Sequence, residues 1–87
     1  MATYFFHLRD GVDLLLDAEG RILDGDAEIA AAALTEARAI LSADILTGWV
    51  NLDQRIEVED GEGALIHRLR FEDAFEFTRE DKGRGIG

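Results

Sequence analysis

The chain has no cysteine. That excludes disulfides, thiolate nucleophiles, and zinc or iron–sulfur sites built on sulfur ligands. It has one lysine, Lys82, and one serine, Ser42. Affinity for nucleic acid rests on Lys and Arg neutralising phosphates. With 9 Lys and Arg against 19 Asp and Glu, and a net charge of −10, nucleic acid is not an expected partner. Anionic membrane surfaces are disfavoured for the same reason. No apolar run approaches the roughly 18 residues of a membrane span. Residues Met1 to Asp10 lack the basic start, long apolar stretch and small-residue cleavage site of a secretory signal. With cysteine absent, the expected location is cytoplasmic.

What is present is enough for one small core. The 87 residues are 47% hydrophobic, too apolar for intrinsic disorder and too few for two domains. The expected boundaries are a single domain over residues 1–77 and a flexible C-terminal tail over 78–87, where glycine and mixed charge predominate. The Gly83-x-Gly85-x-Gly87 pattern lacks the following helix that a phosphate-binding loop needs.

Thr3 to Leu8 alternates as a strand, with Tyr4, Phe6 and Leu8 on one face and Phe5, His7 and Arg9 on the other. Asp10-Gly11 signals a turn. Val12 to Leu16 reads as a second short strand, Asp17 to Gly20 as a turn, and Arg21 to Leu23 as a short third strand. A helix is expected over Ala27 to Leu46, which is rich in alanine and free of glycine and proline. Asp24 or Asp26 is placed to cap it and Gly48 to close it. Ile29, Ala30, Ala33, Leu34, Ala37, Ile40, Leu41 and Ile45 share its apolar face. Arg55 to Glu59 and Leu65 to Phe71 form the clearest hairpin, around Asp60-Gly61-Glu62-Gly63. Glu72 to Phe77 extends that strand or makes one helical turn carrying Phe75.

The fold expected from this order (β-β-(β)-α-β-β) is α+β: an antiparallel sheet of about four strands packed on one long helix. The second face of the sheet is then uncovered, with Phe5, Ile66 and Phe75 as candidates to lie on it. Trp49, just past the helix, is expected to cap the core, with an exposed binding anchor as the alternative.

Candidate chemistry is sparse. His7 and His67 both sit on expected strands, but their spacing matches no zinc motif. Asp10, Asp13, Asp17 and Glu19 crowd one loop region, and Glu59, Asp60 and Glu62 another. Neither follows the ligand order of a calcium-binding loop. Ser42 lies within the helix without a nucleophile elbow around it. The chain is expected not to be an enzyme and to need no cofactor or metal. Asp44 projects from the helix's apolar face in its last turn, where the helix dipole disfavours negative charge. Asp44 either reaches solvent past the sheet edge or accepts from a strand group such as His7 or Arg9, and His7, Arg9 and Asp44 together are the one candidate pocket or structural clamp.

The opening Tyr4 to Gly11 (Tyr-Phe-Phe-His-Leu-Arg-Asp-Gly) resembles the start of a family of short, mainly alphaproteobacterial proteins of unassigned function. The resemblance continues through the Asp17 to Gly20 turn, an alanine-rich helix with a late Asp44, the Asp60 to Gly63 turn and the Phe71 to Ala74 segment. The tight Asp24-Gly25-Asp26 departs from relatives. This resemblance implies a bacterial, stand-alone domain and carries no catalytic or binding residues.

The functional expectation is a small acidic interaction module that self-associates as a homodimer through its sheet faces or edges. The motive is that Tyr4-Phe5-Phe6 puts aromatics on both sides of one strand. One alternative is an antitoxin-like or regulatory acidic module that binds a basic protein. Another is a small-molecule or metal-binding domain.

Overall fold

A computed structural model describes residues 1–76; the expected tail over 78–87 lies outside them. Five strands and one long helix run in the order β1 (Ala2–Asp10), β2 (Asp13–Leu15), β3 (Arg21–Leu23), α1 (Asp26–Leu46), β4 (Gln54–Glu59) and β5 (Leu65–Arg70), followed by a 3-10 turn at Phe71–Asp73. The antiparallel sheet has the order β2-β1-β4-β5, with β3 also on β1. The class is α+β, as the alternation and the alanine-rich run predict.

β1 is central, its backbone pairing along both edges. On one edge it meets β4, with Phe6 opposite Val58 and Leu8 opposite Ile56. β2 lies against its C-terminal half, with Leu8 opposite Leu15, and β3 against its N-terminal end, with Tyr4 opposite Arg21. Between these two short strands the register slips by two residues, and 16–20 detour away from the ladder.

Asp17 repairs that interruption. Its Oδ2 accepts from the Phe6 backbone N–H at 3.0 Å, and its Oδ1 accepts from Glu19 N–H and Gly20 N–H. Its own N–H donates to His7 Nδ1 at 3.0 Å. Gly20 sits in the left-handed region at φ +76, and a Cβ there would lie 2.7 Å from Thr3 Cγ2 and 3.0 Å from the Phe5 ring. Only glycine lets the chain return under Phe5 this closely. Phe5 is thereby half-buried within its own chain, which accounts for the second aromatic face of β1 without a partner.

The core is Phe6, Ile29, Ala33, Ala37, Leu41, Ile56, Val58, Phe71 and Ala74. On α1 the buried positions recur every four residues, at Ile29, Ala33, Ala37 and Leu41. This is one helix face, and its two alanines allow α1 to lie close to the sheet. Ala30 and Ile45, expected on that face, are exposed, since the stripe is narrower than the sequence suggests.

Neither aspartate caps the helix. Gly25 is the N-cap without a side-chain bond, and Glu28 Oε1 instead accepts from the Asp24 N–H at 2.8 Å. At the other end, Thr47 N–H and Gly48 N–H bond the carbonyls of Asp44 and Ile45, and Gly48 takes φ +85. Trp49 does not cap the core: it is 68% exposed. The loop it belongs to is held by Asn51, whose Nδ2 donates to Asp10 Oδ1. Phe75 packs against the core rather than on the uncovered face, with Arg38 over its ring and Arg38 Nε donating to the Ala74 carbonyl.

The β4–β5 hairpin carries a bulge. Val58 faces His67 but Glu59 faces Leu65, so Ile66 is the extra residue, half-exposed at the hairpin end. Asp60 closes the turn by accepting from Glu62 N–H and Ala64 N–H.

Candidate functional site

Among the described residues no helix or further strand packs on the second face of the sheet, and that face is charged, not apolar. Alternation puts Phe5, His7 and Arg9 of β1 on it, with Arg55, Glu57 and Glu59 of β4 opposite them and Arg68 and Arg70 of β5 beyond. Glu57 sits at the centre and is only 8% exposed. Its Oε1 accepts from Arg9 Nε at 3.2 Å and its Oε2 from Arg55 Nε at 2.8 Å, and Arg68 Nε lies 3.5 Å from Oε2. The bond from Arg55 and then that from Arg9 outweigh burial and hold the Glu57 carboxyl below its ordinary value.

His7 is the neighbouring knot, also 8% exposed. Because Nδ1 accepts from the Asp17 N–H, the ring proton belongs on Nε2, which faces Glu59 Oε1 at 3.3 Å. The imidazole therefore joins the 16–20 detour to β4. Burial pushes the Asp17 carboxyl up, but bonds from Phe6, Gly20 and Glu19 N–H, with the charge of Arg21, bring it below its ordinary value.

Of the three residues grouped from sequence, the fold brings two together. His7 and Arg9 are neighbours on the charged face, on Glu59 and Glu57 respectively. Asp44 belongs to α1, which packs on the other face, and no hydrogen bond or ion pair links it to either. Its backbone carbonyl instead accepts from Thr47 N–H and Thr47 Oγ1. His67 faces Val58 on the helix side, so the two histidines lie on opposite faces and do not converge. Among the described residues no three His, Asp or Glu side chains are placed to share a metal ion.

Glu57, the hub, escaped the sequence reading. The signal was the alternation Arg55-x-Glu57-x-Glu59, which gives β4 a polar face; seeing it needed β4 placed beside β1. Asp17 was noted as a turn residue, but its bond to Phe6 depends on a strand eleven residues away. Asp17→Ala leaves three backbone N–H groups without their acceptor and should cost about 1–3 kcal/mol. Urea denaturation of the two proteins checks this; an unchanged midpoint contradicts it.

The second feature is the outer edge of β2 and β3. Leu15 is 68% exposed and Leu16 64%, flanked by exposed Val12, Leu14 and Ile22. Leu15 and Leu16 also wall a slot between this edge and the helix, floored by Phe6, Leu8 and Ile56 and bordered by Ile40. An ion pair from Arg21 to Glu36 crosses its mouth, and the Arg21 guanidinium lies over the Phe6 ring. β2 ends the sheet order, so no further strand covers it among the described residues. Among these residues no helix is long and apolar enough to cross a membrane.

A family model described as a domain of unknown function, DUF6894, matches residues 3–72, from β1 into the 3-10 turn, and the chain belongs to that family. No curated protein and no solved structure matches it.

Proposed function

We propose that this DUF6894 domain is a non-enzymatic interaction module that self-associates through the β2–β3 edge of its sheet. One observation carries the reading: exposed Leu14 and Leu15 lie on the edge strand β2, which no further described strand covers, with exposed Leu16, Val12 and Ile22 beside them. Exposed apolar groups gathered in one place mark interaction surfaces, and an open strand edge is a template for another chain. The charged face offers no comparable apolar area, so face-to-face pairing of sheets is not favoured. Two copies meeting edge to edge about a two-fold axis place the same leucines against each other.

Salt separates this reading from binding of a basic protein. Two copies each carry a net charge of −10 and repel, so added salt should strengthen self-association. A complex with a basic partner should weaken instead. Sedimentation across protein concentration at low and high salt is the test. A dimer favoured by salt, and driven to monomer by Leu15→Glu, supports the proposal. A monomer at every concentration and both salts overturns it.

A further inference from the structure

Arg9, Arg55 and Arg70 occupy directly opposed positions on β1, β4 and β5, forming one rung of three guanidinium side chains across the sheet. The next rung is His7, Glu57 and Arg68. Like charges directly opposite each other destabilise a sheet. This chain has ten more acidic than basic groups, so solvating the face does not call for arginines. Glu57 offsets part of the repulsion as one carboxylate facing Arg9, Arg55 and Arg68, while Glu72 pairs with Arg70.

The geometry of these contacts is specific. All three arginines meet Glu57 through Nε. Their terminal amino groups are therefore not used by it. Arg55, Arg68 and Arg70 also line a hollow on this face, with Leu52 and Asp53 at its border. Arg70 holds Glu72 at 2.7 Å, and both side chains are largely exposed, so this pair is readily exchanged for another anion.

We infer that this hollow is an oxyanion site that takes the phosphoryl group of a small molecule. Guanidinium groups recognise phosphate oxygens by paired, charge-assisted hydrogen bonds. The terminal nitrogens of Arg55 and Arg68 supply them here, with Arg70 at the outer side. A phosphoryl group offers oxygens to two guanidinium forks at once, which the two oxygens of a single carboxylate do not. Asp53 at the border opposes the ligand and sets a limit on its charge.

The test is a nuclear magnetic resonance titration of the full chain with inorganic phosphate, glycerol phosphate and malonate, each against sodium chloride at matched ionic strength. The expected result is saturable shifts at Arg55, Arg68 and Arg70 with either phosphate. Preference for glycerol phosphate assigns the site to a phosphate ester, and equal binding assigns it to phosphate itself. Arg68→Ala, a change at an exposed side chain, should weaken binding about tenfold or more. Glu57→Gln, where it remains folded, should strengthen it by freeing positive charge. Shifts equal to those in chloride, binding of malonate but not of phosphate, or affinity unaffected by Arg68→Ala would each overturn the inference.

Discussion

Phe71→Ala should leave the chain largely unfolded at physiological temperature. Phe71 has no exposed surface and is the largest of the fully buried side chains. It enters the core at the start of the 3-10 turn, where it meets both the helix and the inner sheet. Truncating a buried phenylalanine costs about 3–5 kcal/mol, the lost transfer energy plus the cavity left behind. Domains of ordinary size have about 5–15 kcal/mol in total, and one this small lies toward the lower end. Far-ultraviolet circular dichroism in urea is the suitable measurement. Trp49 is a poor reporter, because it is exposed in the folded chain as well. Leu65→Ala, at an exposed position of β5, serves as the comparison and should stay close to the parent protein. Equal midpoints for the two variants would mean that Phe71 does not anchor the core.

Glu57→Ala should cost about 2–4 kcal/mol, more than any single change among its arginine partners. Removing one member of a buried ion pair is expensive because the remaining charge keeps its burial and loses its partner. Three guanidinium groups lose theirs here, although their partial exposure lets water screen part of the cost. Arg68→Ala leaves Glu57 with Arg9 and Arg55 and should cost about 1 kcal/mol or less. A double-mutant cycle of the two substitutions measures their coupling directly. The same carboxylate sets an acid dependence. Glu57 and Asp17 are both lowered in the folded chain. Their contribution is therefore complete above the ordinary values of 4.5 and 3.8, and is lost as pH falls through the lower folded values. Urea midpoints should hold steady from pH 7 to about pH 5 and then decline. In Glu57→Ala the decline should be shallower. An identical slope in both proteins would remove Glu57 from the acid response.

The elements were legible because each is specified by local chemistry. Alternation marks β1, β4 and β5. The Asp-x-x-Gly turns mark the points where a side-chain oxygen replaces the missing ladder bonds, and the alanine run marks α1. Neighbour relations were not legible, because alternation assigns a residue to a face without saying which strand lies beside it. Glu57 illustrates the gap: its partners Arg9 and Arg68 lie 48 residues before it and eleven after it, and only the pairing of β4 between β1 and β5 gathers them. Phe5 shows the reverse. Its face follows from the pattern, but what covers it is Gly20, a residue whose contribution is the side chain it lacks. Trp49 misleads because size argues for burial, while its place beyond Gly48 puts it on a turn with no core beneath it. Asp44 was grouped with His7 and Arg9 because it shares the helix's sheet-facing side, but His7 and Arg9 lie on the opposite face of the sheet, which the pattern alone does not reveal.

The bulge at Val58 and Glu59 has a bearing on how far assembly of such a sheet can extend. A fibre grows when every added strand re-creates the edge that received it. Here the two margins of the sheet are different objects. One is a short, leucine-lined strand. The other is broken by an extra residue near its start and carries Arg68 and Arg70 along its length. A copy docked on the first margin turns away an irregular, positively charged rim that a third copy cannot use in the same way. Whatever gathers at the leucine edge thus consumes the only regular docking line among the described strands. On the proposed self-association, the assembly stops at a closed pair and does not seed an open-ended polymer.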